Sequence, residues 1–290
     1  MVGVDGSAEA ESALRWAVEE ATFRGGSVVA LHAFGYFSQM HPEGGPDFVP
    51  SYGEAEAAQA LAELVKRAFP DRLEIEQRVV CDLPANAVLS ESKTADLLVV
   101  GARGLGGFRG LLMGSVSQRC LHVSHTPVCI VKAAGLEHAH GRDRVVVGVD
   151  GSPTSQRALE WAVGEARARH AHLEVVHSWH PLYTGAYPYA PVPIDPAPYE
   201  AAAAEVITDM VSAVDTEGVQ KVVTTVACGG AAADLVDAAE NAQLVVVGTK
   251  GVGGFRGMLM GSVCHSVAHH APCPVVVIPA ARPADDESDS

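Results

Sequence analysis

The chain has 290 residues, of which 48% are hydrophobic and 19% are charged, and its formal net charge is -15 at pH 7. This length predicts two domains of ordinary size, and the composition excludes a disordered or fibrous protein. The acidic balance argues against nonspecific binding of nucleic acid, although a ring of backbone N–H groups could still bind one small anion.

An internal repeat organises the chain. "VGVDGS" at residues 2–7 returns at 147–152, and "GARGLGGFRGLLMGS" at 101–115 returns as "GTKGVGGFRGMLMGS" at 248–262. We call these last two segments the glycine strings. The repeat predicts one domain over residues 1–133 and a second over 143–280, joined by a linker "AGLEHAHGRD". The acidic residues 281–290 are expected to be a disordered tail.

In both copies, strand-length apolar runs alternate with stretches of helical period. In the second copy the predicted elements are a strand at 144–150, a helix from Ser152 or Pro153, a strand at 172–179, a Pro- and Tyr-rich loop at 180–198, a helix at 199–214, a strand at 219–228, a helix at 231–241, a strand at 243–248, the glycine string, a helix at 262–270 and a strand at 273–279. Near-continuous valine runs are typical of strands covered on both faces, so we expect an α/β protein with two tandem, doubly wound, five-stranded parallel sheets, which is a Rossmann-like architecture.

The first and last strands of the two copies lead to further predictions. The first copy begins at "MVGVD", several residues shorter than "RVVVGVD" in the second, which leaves a misassigned start and a shortened strand as alternatives. The last strands, "TPVCIVK" and "CPVVVIP", are expected at sheet edges, where they would pair either within the chain or between the chains of a homodimer.

The six cysteines form no CxxC pair, and we expect them to be reduced residues of the core. Because the sequence also has no signal-peptide pattern and no apolar run near 18 residues, a cytoplasmic protein without a membrane partner is expected.

Each glycine string follows a valine-rich strand and ends in Gly-Ser at the start of a helix. The glycines expected to take positive φ and to admit a ligand are Gly101, Gly104, Gly248 and Gly251. The residues expected to offer free N–H groups and a hydroxyl at a helix N-terminus are Gly114, Ser115, Gly261 and Ser262. The pattern matches neither a Walker loop nor a dinucleotide fingerprint, but its geometry suits a phosphate chain.

The spacing Gly, two residues, Gly, nine residues, Gly-Ser, together with "VGVDGS", closely resembles the universal stress protein family and its tandem members. The resemblance implies an adenine nucleotide α-hydrolase-like fold and two sites for ATP with Mg²⁺. The resemblance also implies that the glycine pattern holds the phosphates and that an Asp after the first strand contacts adenosine. It implies that the residue after the second-strand His lies against adenine. The site residues implied by position are Asp5, Ala33, Gly101, Gly104, Gly114, Ser115 and Val116 in the first copy and Asp150, Ser178, Gly248, Gly251, Gly261, Ser262 and Val263 in the second.

Several residues allow more than one interpretation. Asp5 and Asp150 could instead be N-caps of the following helices. Arg109 and Arg256 could neutralise phosphate or hold the string against the protein. Arg103 and Lys250 place a positive charge at the same position of the two strings, and this charge could contact phosphate. The candidates for a mainly structural role are His32 and His177 at the strand ends and Trp16 and Trp161 in the core.

A zinc site is the weaker interpretation of a histidine-rich helix end, where solvated or capping histidines are favoured. The residues concerned are Cys264, His265, His269, His270 and Cys273. No catalytic constellation is recognisable, so we expect an ATP-binding stress-response sensor or regulator with an unidentified protein partner. The alternative is a slow ATP hydrolase or a nucleotide-using enzyme of the related ATP-pyrophosphatase type.

Overall fold

The computed structural model describes residues 1–35, 53–70, 75–105, 112–180, 195–252 and 260–281. Within these ranges the chain forms ten short strands. They are β1 (Val2–Val4), β2 (Val28–Phe34), β3 (Ile75–Cys81), β4 (Leu98–Gly101), β5 (Val128–Val131), β6 (Arg144–Gly148), β7 (His172–Trp179), β8 (Lys221–Cys228), β9 (Leu244–Gly248) and β10 (Val275–Ile278). The predicted acidic tail and most of the Pro- and Tyr-rich loop lie outside the described residues.

Helices follow most of the strands in the same ranges. They are α1 (Ala8–Arg24), α2 (Glu54–Ala68), α3 (Pro84–Glu91), α4 (Ser115–Val123), α5 (Ala133–Ala139), α6 (Pro153–Ala168), α7 (Ala197–Ser212), α8 (Ala231–Ala239) and α9 (Ser262–His270). The order of elements predicted for the second copy is confirmed. The β1 strand has three residues against five in β6.

The segment predicted as a linker is largely helical, because α5 fills most of it. Gly135 is buried in this helix, and a Cβ on it would stand 3.0 Å from the carbonyl oxygen of Pro272. The glycine therefore permits close packing of α5 on the second half. It does not mark a turn.

All ten strands belong to one sheet, in the order β3-β2-β1-β4-β5-β10-β9-β6-β7-β8. Pairing is parallel within each half, and the two halves meet where β5 pairs antiparallel with β10, with Cys129 opposite Val276. The prediction of five parallel strands in each half is confirmed, and the two halves join into one sheet because the last strands pair within the chain. They are therefore not edges, since β3 and β8 occupy the two ends of the sheet.

The core covers both faces of this sheet without a break between the halves. One face packs against α1, α2, α6 and α7, and the other against α3, α4, α8 and α9. Because the valines of the central strands contact both layers, each strand is apolar on both faces, as the sequence predicts. The halves therefore share one continuous hydrophobic core.

The cysteines follow the prediction only in part. Cys120, Cys129, Cys264 and Cys273 are buried, and burial raises the pKa of each of these thiols. Cys81 and Cys228 are exposed, because they end the two edge strands β3 and β8. Among the described residues, no helix is long and apolar enough to cross a membrane.

Four charged side chains meet between α1 and α6, and we call them the charge box: Glu20, Arg24, Glu165 and Arg169. Each arginine donates hydrogen bonds to both glutamates, so the four groups alternate in charge. Glu165 has an exposed side-chain fraction of 0%, and Arg169 of 6%. The box therefore joins the two halves through three buried charges and the partly exposed Arg24.

The two repeated tryptophans complete this contact. The guanidinium of Arg24 lies 4.5 Å from the ring centre of Trp161, and that of Arg169 lies 5.5 Å from the ring centre of Trp16. Trp16 is buried, as predicted, and Trp161 is partly buried against the same core. Each half thus supplies an aromatic face to the cation of the other half.

The two glutamates of the box differ in how readily they bind a proton. Burial and the neighbouring Glu165 carboxylate raise the pKa of Glu20 to about 7. Burial also opposes ionisation of Glu165, but the charges of Arg169 and Arg24 outweigh it and lower the pKa of Glu165. Of the two carboxylates, Glu20 therefore takes up a proton more readily.

The substitution Glu165→Gln tests the energetic role of the box. It removes a buried carboxylate from two guanidinium groups, and we expect the free energy of unfolding, measured with urea, to fall by about 3 kcal/mol. Glu11→Gln is the control, since it removes a carboxylate from the more exposed pairs with Arg15 and Arg67 and should cost less than about 1 kcal/mol. Equal losses in the two variants would contradict the role assigned to the box.

The raised pKa of Glu20 predicts a pH dependence of stability. Because the folded state binds this proton more tightly, the contribution of Glu20 is full below its unfolded pKa of 4.5 and is lost as pH rises through about 7. Relative to Glu20→Gln, the unfolding free energy of the unmodified protein should therefore fall between pH ~5 and pH ~8. Parallel curves for the two proteins over this range would show that Glu20 titrates normally.

Candidate functional site

The carboxyl ends of β1 and β4 meet where the strand order of the first half reverses. The chain runs outwards from β1 through β2 and β3, then returns to place β4 on the other side of β1. The same reversal separates β6 from β9 in the second half. Doubly wound sheets bind ligands at such points, because the loops diverge there and leave a crevice.

Asp5 ties the turn after β1 to the first glycine string across this crevice. Its Oδ1 accepts a hydrogen bond from the N–H of Ser7 at 3.0 Å, and its Oδ2 accepts one from the N–H of Leu105 at 2.8 Å. The carboxylate therefore fixes the position of the string relative to the start of α1.

Asp150 makes the same contacts in the second half. The N–H of Ser152 donates to its Oδ1 at 3.1 Å, and the N–H of Val252 donates to its Oδ2 at 2.8 Å. Burial disfavours the charge of Asp150, but hydrogen bonds from Ser152, Val252 and Ser155 outweigh burial and lower its pKa. The carboxylate is thus held in its ionised form.

The interpretation of these aspartates as helix N-caps is wrong. The caps of α1 and α6 are Ser7 and Ser152, whose hydroxyl oxygens accept the N–H three residues further on at 3.1 Å. Between aspartate and serine, Gly6 and Gly151 have φ of 88° and 84°, a left-handed conformation that turns the chain. This turn directs the aspartate towards the string.

Gly104 and Gly251 leave room for these carboxylates. A Cβ on Gly104 would stand 2.2 Å from Oδ2 of Asp5, and one on Gly251 would stand 2.0 Å from Oδ2 of Asp150. The prediction of positive φ is wrong for both residues, as it is for Gly101 and Gly248. Glycine is required at these two positions because a side chain would collide with the aspartate, and not because of the backbone conformation.

Gly101 and Gly248 allow the first turn of a helix to touch the string. A Cβ on Gly101 would stand 2.9 Å from the carbonyl carbon of Glu9 in α1. A Cβ on Gly248 would stand 2.8 Å from Cγ2 of Thr154 in α6. The residues at these two helix positions therefore lie directly beside the strings.

Each string ends by folding back on its own beginning. The N–H of Gly114 donates to the carbonyl of Ala102 at 2.8 Å, and the N–H of Gly261 donates to that of Thr249 at 2.7 Å. The expectation that these two glycines offer free N–H groups is therefore wrong. They position the helix that follows and make no donor available.

The free donors lie one residue further on, in the first turns of α4 and α9. The first three N–H groups of a helix have no acceptor within it, and no other acceptor is found for them among the described residues. These groups belong to Ser115, Val116 and Ser117 in α4 and to Ser262, Val263 and Cys264 in α9. Ser115 and Ser262 are exposed, whereas Val116 and Val263 pack partly against the core.

Both halves match the model of the "Universal stress protein family", over residues 1–132 and 141–279. The chain belongs to the universal stress protein family. Among curated members, a universal stress protein of Mycolicibacterium smegmatis is 32% identical, and the match covers 96% of each chain. One from Mycobacterium tuberculosis is also 32% identical, over 96% of this chain and 95% of its own.

Solved structures share the tandem fold. A universal stress protein from Archaeoglobus fulgidus superposes with a TM-score of 0.65 at 22% identity, covering 96% of this chain and 97% of its own. A universal stress protein described as putative, from Pseudomonas aeruginosa, gives a TM-score of 0.65 at 14% identity, covering 96% of this chain and 91% of its own. The arrangement of the two halves is therefore a fold of this family.

The residues that the family resemblance places against adenine lie at the end of the second strand of each half. Ala33 is buried near the end of β2, and Ser178 is half-buried near the end of β7. The preceding histidines point back to the first strand, since Nδ1 of His32 lies 2.9 Å from the oxygen of Val4 and Nδ1 of His177 lies 2.8 Å from that of Val149. These contacts support the structural interpretation of both histidines.

The repeated cations of the strings have different environments. Arg103 pairs with Glu9, whereas Lys250 forms no ion pair with the residues described in the structure. Arg109 and Arg256 lie outside the described residues. The zinc interpretation gains no support, because no group of three His, Cys, Asp or Glu side chains is assembled within the described ranges.

Two features of this universal stress protein were missed from the sequence. The internal repeat could have revealed the charge box, since Glu20 and Arg24 return as Glu165 and Arg169 with the offset of "VGVDGS". The repeat could not have revealed Asp234, because the equivalent residue of the first copy is Ala87. Its Oδ2 is buried in α8 and has no hydrogen-bond partner among the described residues.

The substitution Asp150→Asn tests the tie between turn and string. The amide can keep one acceptor but presents N–H to the second donor, so the N–H of Val252 should exchange with solvent at least tenfold faster, as expected for losing a charged hydrogen bond worth about 1.5 to 3 kcal/mol. Hydrogen exchange read by mass spectrometry measures this. Asp215→Asn, which alters a similar turn on the exposed surface, should leave the exchange at Val252 unchanged. A string equally protected in both variants would contradict the assignment.

Proposed function

We propose that this universal stress protein binds two ATP molecules, one in each half, and that their occupancy regulates its conformation or its contacts with a partner. The first site comprises Asp5, residues 101–105 and 112–115 of the string, and the first turn of α4. The second site comprises Asp150, residues 248–252 and 260–262 of the string, and the first turn of α9. The observation that carries the proposal is the set of N–H groups beside each string that have no acceptor among the described residues.

A helix N-terminus of this kind attracts anions. The N–H groups of Ser115, Val116 and Ser117 converge at the positive end of the α4 dipole, and the exposed Ser115 hydroxyl adds a further donor. The equivalent groups of α9 repeat this arrangement. Backbone donors bind phosphate without a basic surface, which reconciles the site with a net charge of -15.

The positions of four residues support placing adenosine in the remaining part of the crevice. Asp5 and Asp150 stand at the reversal of the strand order, and Ala33 and Ser178 stand at the end of the neighbouring strand. Because the carboxylates of Asp5 and Asp150 already accept backbone N–H groups, Mg²⁺ would be held mainly by the phosphate oxygens. ATP binding is common in the family, which supports the same ligand.

Helices α1 and α6 connect the two sites through the charge box. Helix α1 begins at the Ser7 cap beside the first site and ends at the charge box, and α6 does the same for the second site. A ligand that moves the first turn of one helix therefore acts on charge-box residues that contact the other half. A change in hydrogen exchange of α1 and α6 on adding ATP is the result expected of a regulator.

The substitutions Ser115→Glu and Ser262→Glu test the assignment of the sites. Glutamate at the first position of a helix stabilises it, so both variants should fold, but its charge repels phosphate from the N–H groups. Calorimetric titration should give two ATP per chain for the unmodified protein, one for each variant and none for the double variant.

The matched controls are Gln118→Glu and His265→Glu, which add the same charge on an exposed position one turn further along the same helices. These controls should keep two ATP per chain. An unchanged stoichiometry in Ser115→Glu and Ser262→Glu would contradict the proposed sites.

A further inference from the structure

The two strings differ in the charge that surrounds them, although their sequences are nearly the same. In the first half, Nη2 of Arg103 lies 3.4 Å from Oε1 of Glu9, in the first turn of α1. The residue of α6 that corresponds to Glu9 is Thr154, which carries no charge. The first string therefore has a carboxylate beside it that the second string lacks.

Glu9 is held in this position by a second contact. Its Oε2 accepts the N–H of Ala133 at 2.7 Å, at the start of α5. Only 16% of its side chain is exposed, and its backbone lies directly against Gly101. The carboxylate therefore cannot turn away from the string without breaking both contacts.

Lys250 occupies the position of Arg103 in the second string. It forms no ion pair with a described residue, and its Cα stands 3.8 Å from where a Cβ of Gly261 would lie. Gly261 is the N-cap of α9, so this ammonium group belongs to the residue that borders the free N–H groups. Among the described residues no carboxylate offsets the charge of Lys250, whereas that of Arg103 is offset by Glu9.

Asp234 is a second difference in charge, and it lies on another side of the crevice. It belongs to the first part of α8, close to Gly229, whose N–H donates to the carbonyl of Trp179 at the end of β7. Strand β7 is separated from the string of β9 by β6. Glu9 and Lys250, by contrast, adjoin the strings themselves.

From these contacts we propose that the two sites are not equivalent: Glu9 weakens the first site for the phosphate chain of ATP, and the second site binds it more tightly. This inference rests on the proposed function. An anion at the first site meets a cation whose charge Glu9 already offsets, whereas an anion at the second meets a cation that pairs with no described residue. One such charge difference near the protein surface corresponds to about a tenfold ratio of dissociation constants.

The experiment compares the sites one at a time in the full chain. Ser262→Glu leaves only the first site and Ser115→Glu only the second, and calorimetry with ATP should give a dissociation constant about tenfold lower for the second. Adding Glu9→Gln to Ser262→Glu should strengthen the first site several-fold, because the amide still accepts the N–H of Ala133 but carries no charge. Adding Thr154→Glu to Ser115→Glu should weaken the second site by a similar factor.

Glu11→Gln is the matched control, since it removes a carboxylate from the same helix turn, where Glu11 pairs with Arg15 and Arg67 and with no described residue of the string. It should leave both dissociation constants unchanged. The difference between the sites should shrink in high salt, as charge interactions are screened.

The outcomes separate the two proposals. Equal dissociation constants at the two sites, or the same constants in Glu9→Gln as in Glu11→Gln, would overturn the inequivalence and leave ATP binding intact. Failure of the unmodified protein to bind ATP would overturn the proposed function and this inference with it.

Discussion

The antiparallel pairing of β5 with β10 is the contact on which the rest of the molecule depends. Parallel pairing within each half leaves one apolar edge strand without a neighbour, and each half covers the edge of the other. The pairing produces one ten-stranded sheet with a continuous core on both faces. It also brings α1 and α6 together, so the charges on these helices have to be satisfied by each other.

The charge box meets that requirement with alternating signs. Every carboxylate contacts two guanidinium groups, and each guanidinium group lies over a tryptophan of the opposite half. A buried pair of this kind contributes little compared with an apolar contact, but losing one partner is costly. The box therefore favours one relative position of the halves over others. Since both helices begin at a candidate site, this position connects the two sites physically.

The glycine strings combine two functions that the sequence alone does not separate. Gly101, Gly104 and their counterparts make room for a helix turn and for a carboxylate, whereas the following helix supplies the donors for a ligand. The same glycines would be required whether or not a ligand binds. The stronger support for a phosphate site is therefore the set of N–H groups at the start of α4 and α9 that have no acceptor among the described residues.

Much of the fold could be predicted from the sequence, because its signals are local or repeated. Valine runs, helical periods and the spacing of the strings determined the α/β class and the duplication, and they predicted where the candidate site lies. The sequence could not decide which groups around the site are already engaged. The N–H of Gly114 and the guanidinium of Arg103 have partners that are distant or unremarkable in the sequence.

The sequence by itself determined two copies of one sheet, each with a glycine string after its fourth strand, because hydrophobic period and repeat offset are properties of the linear chain. Only the tertiary structure decided that the copies share one sheet, that Asp5 and Asp150 hold the strings, and that Glu9 lies beside one string alone. These features depend on contacts between residues that are about a hundred positions or more apart, and only the packing of strands and helices brings such residues together.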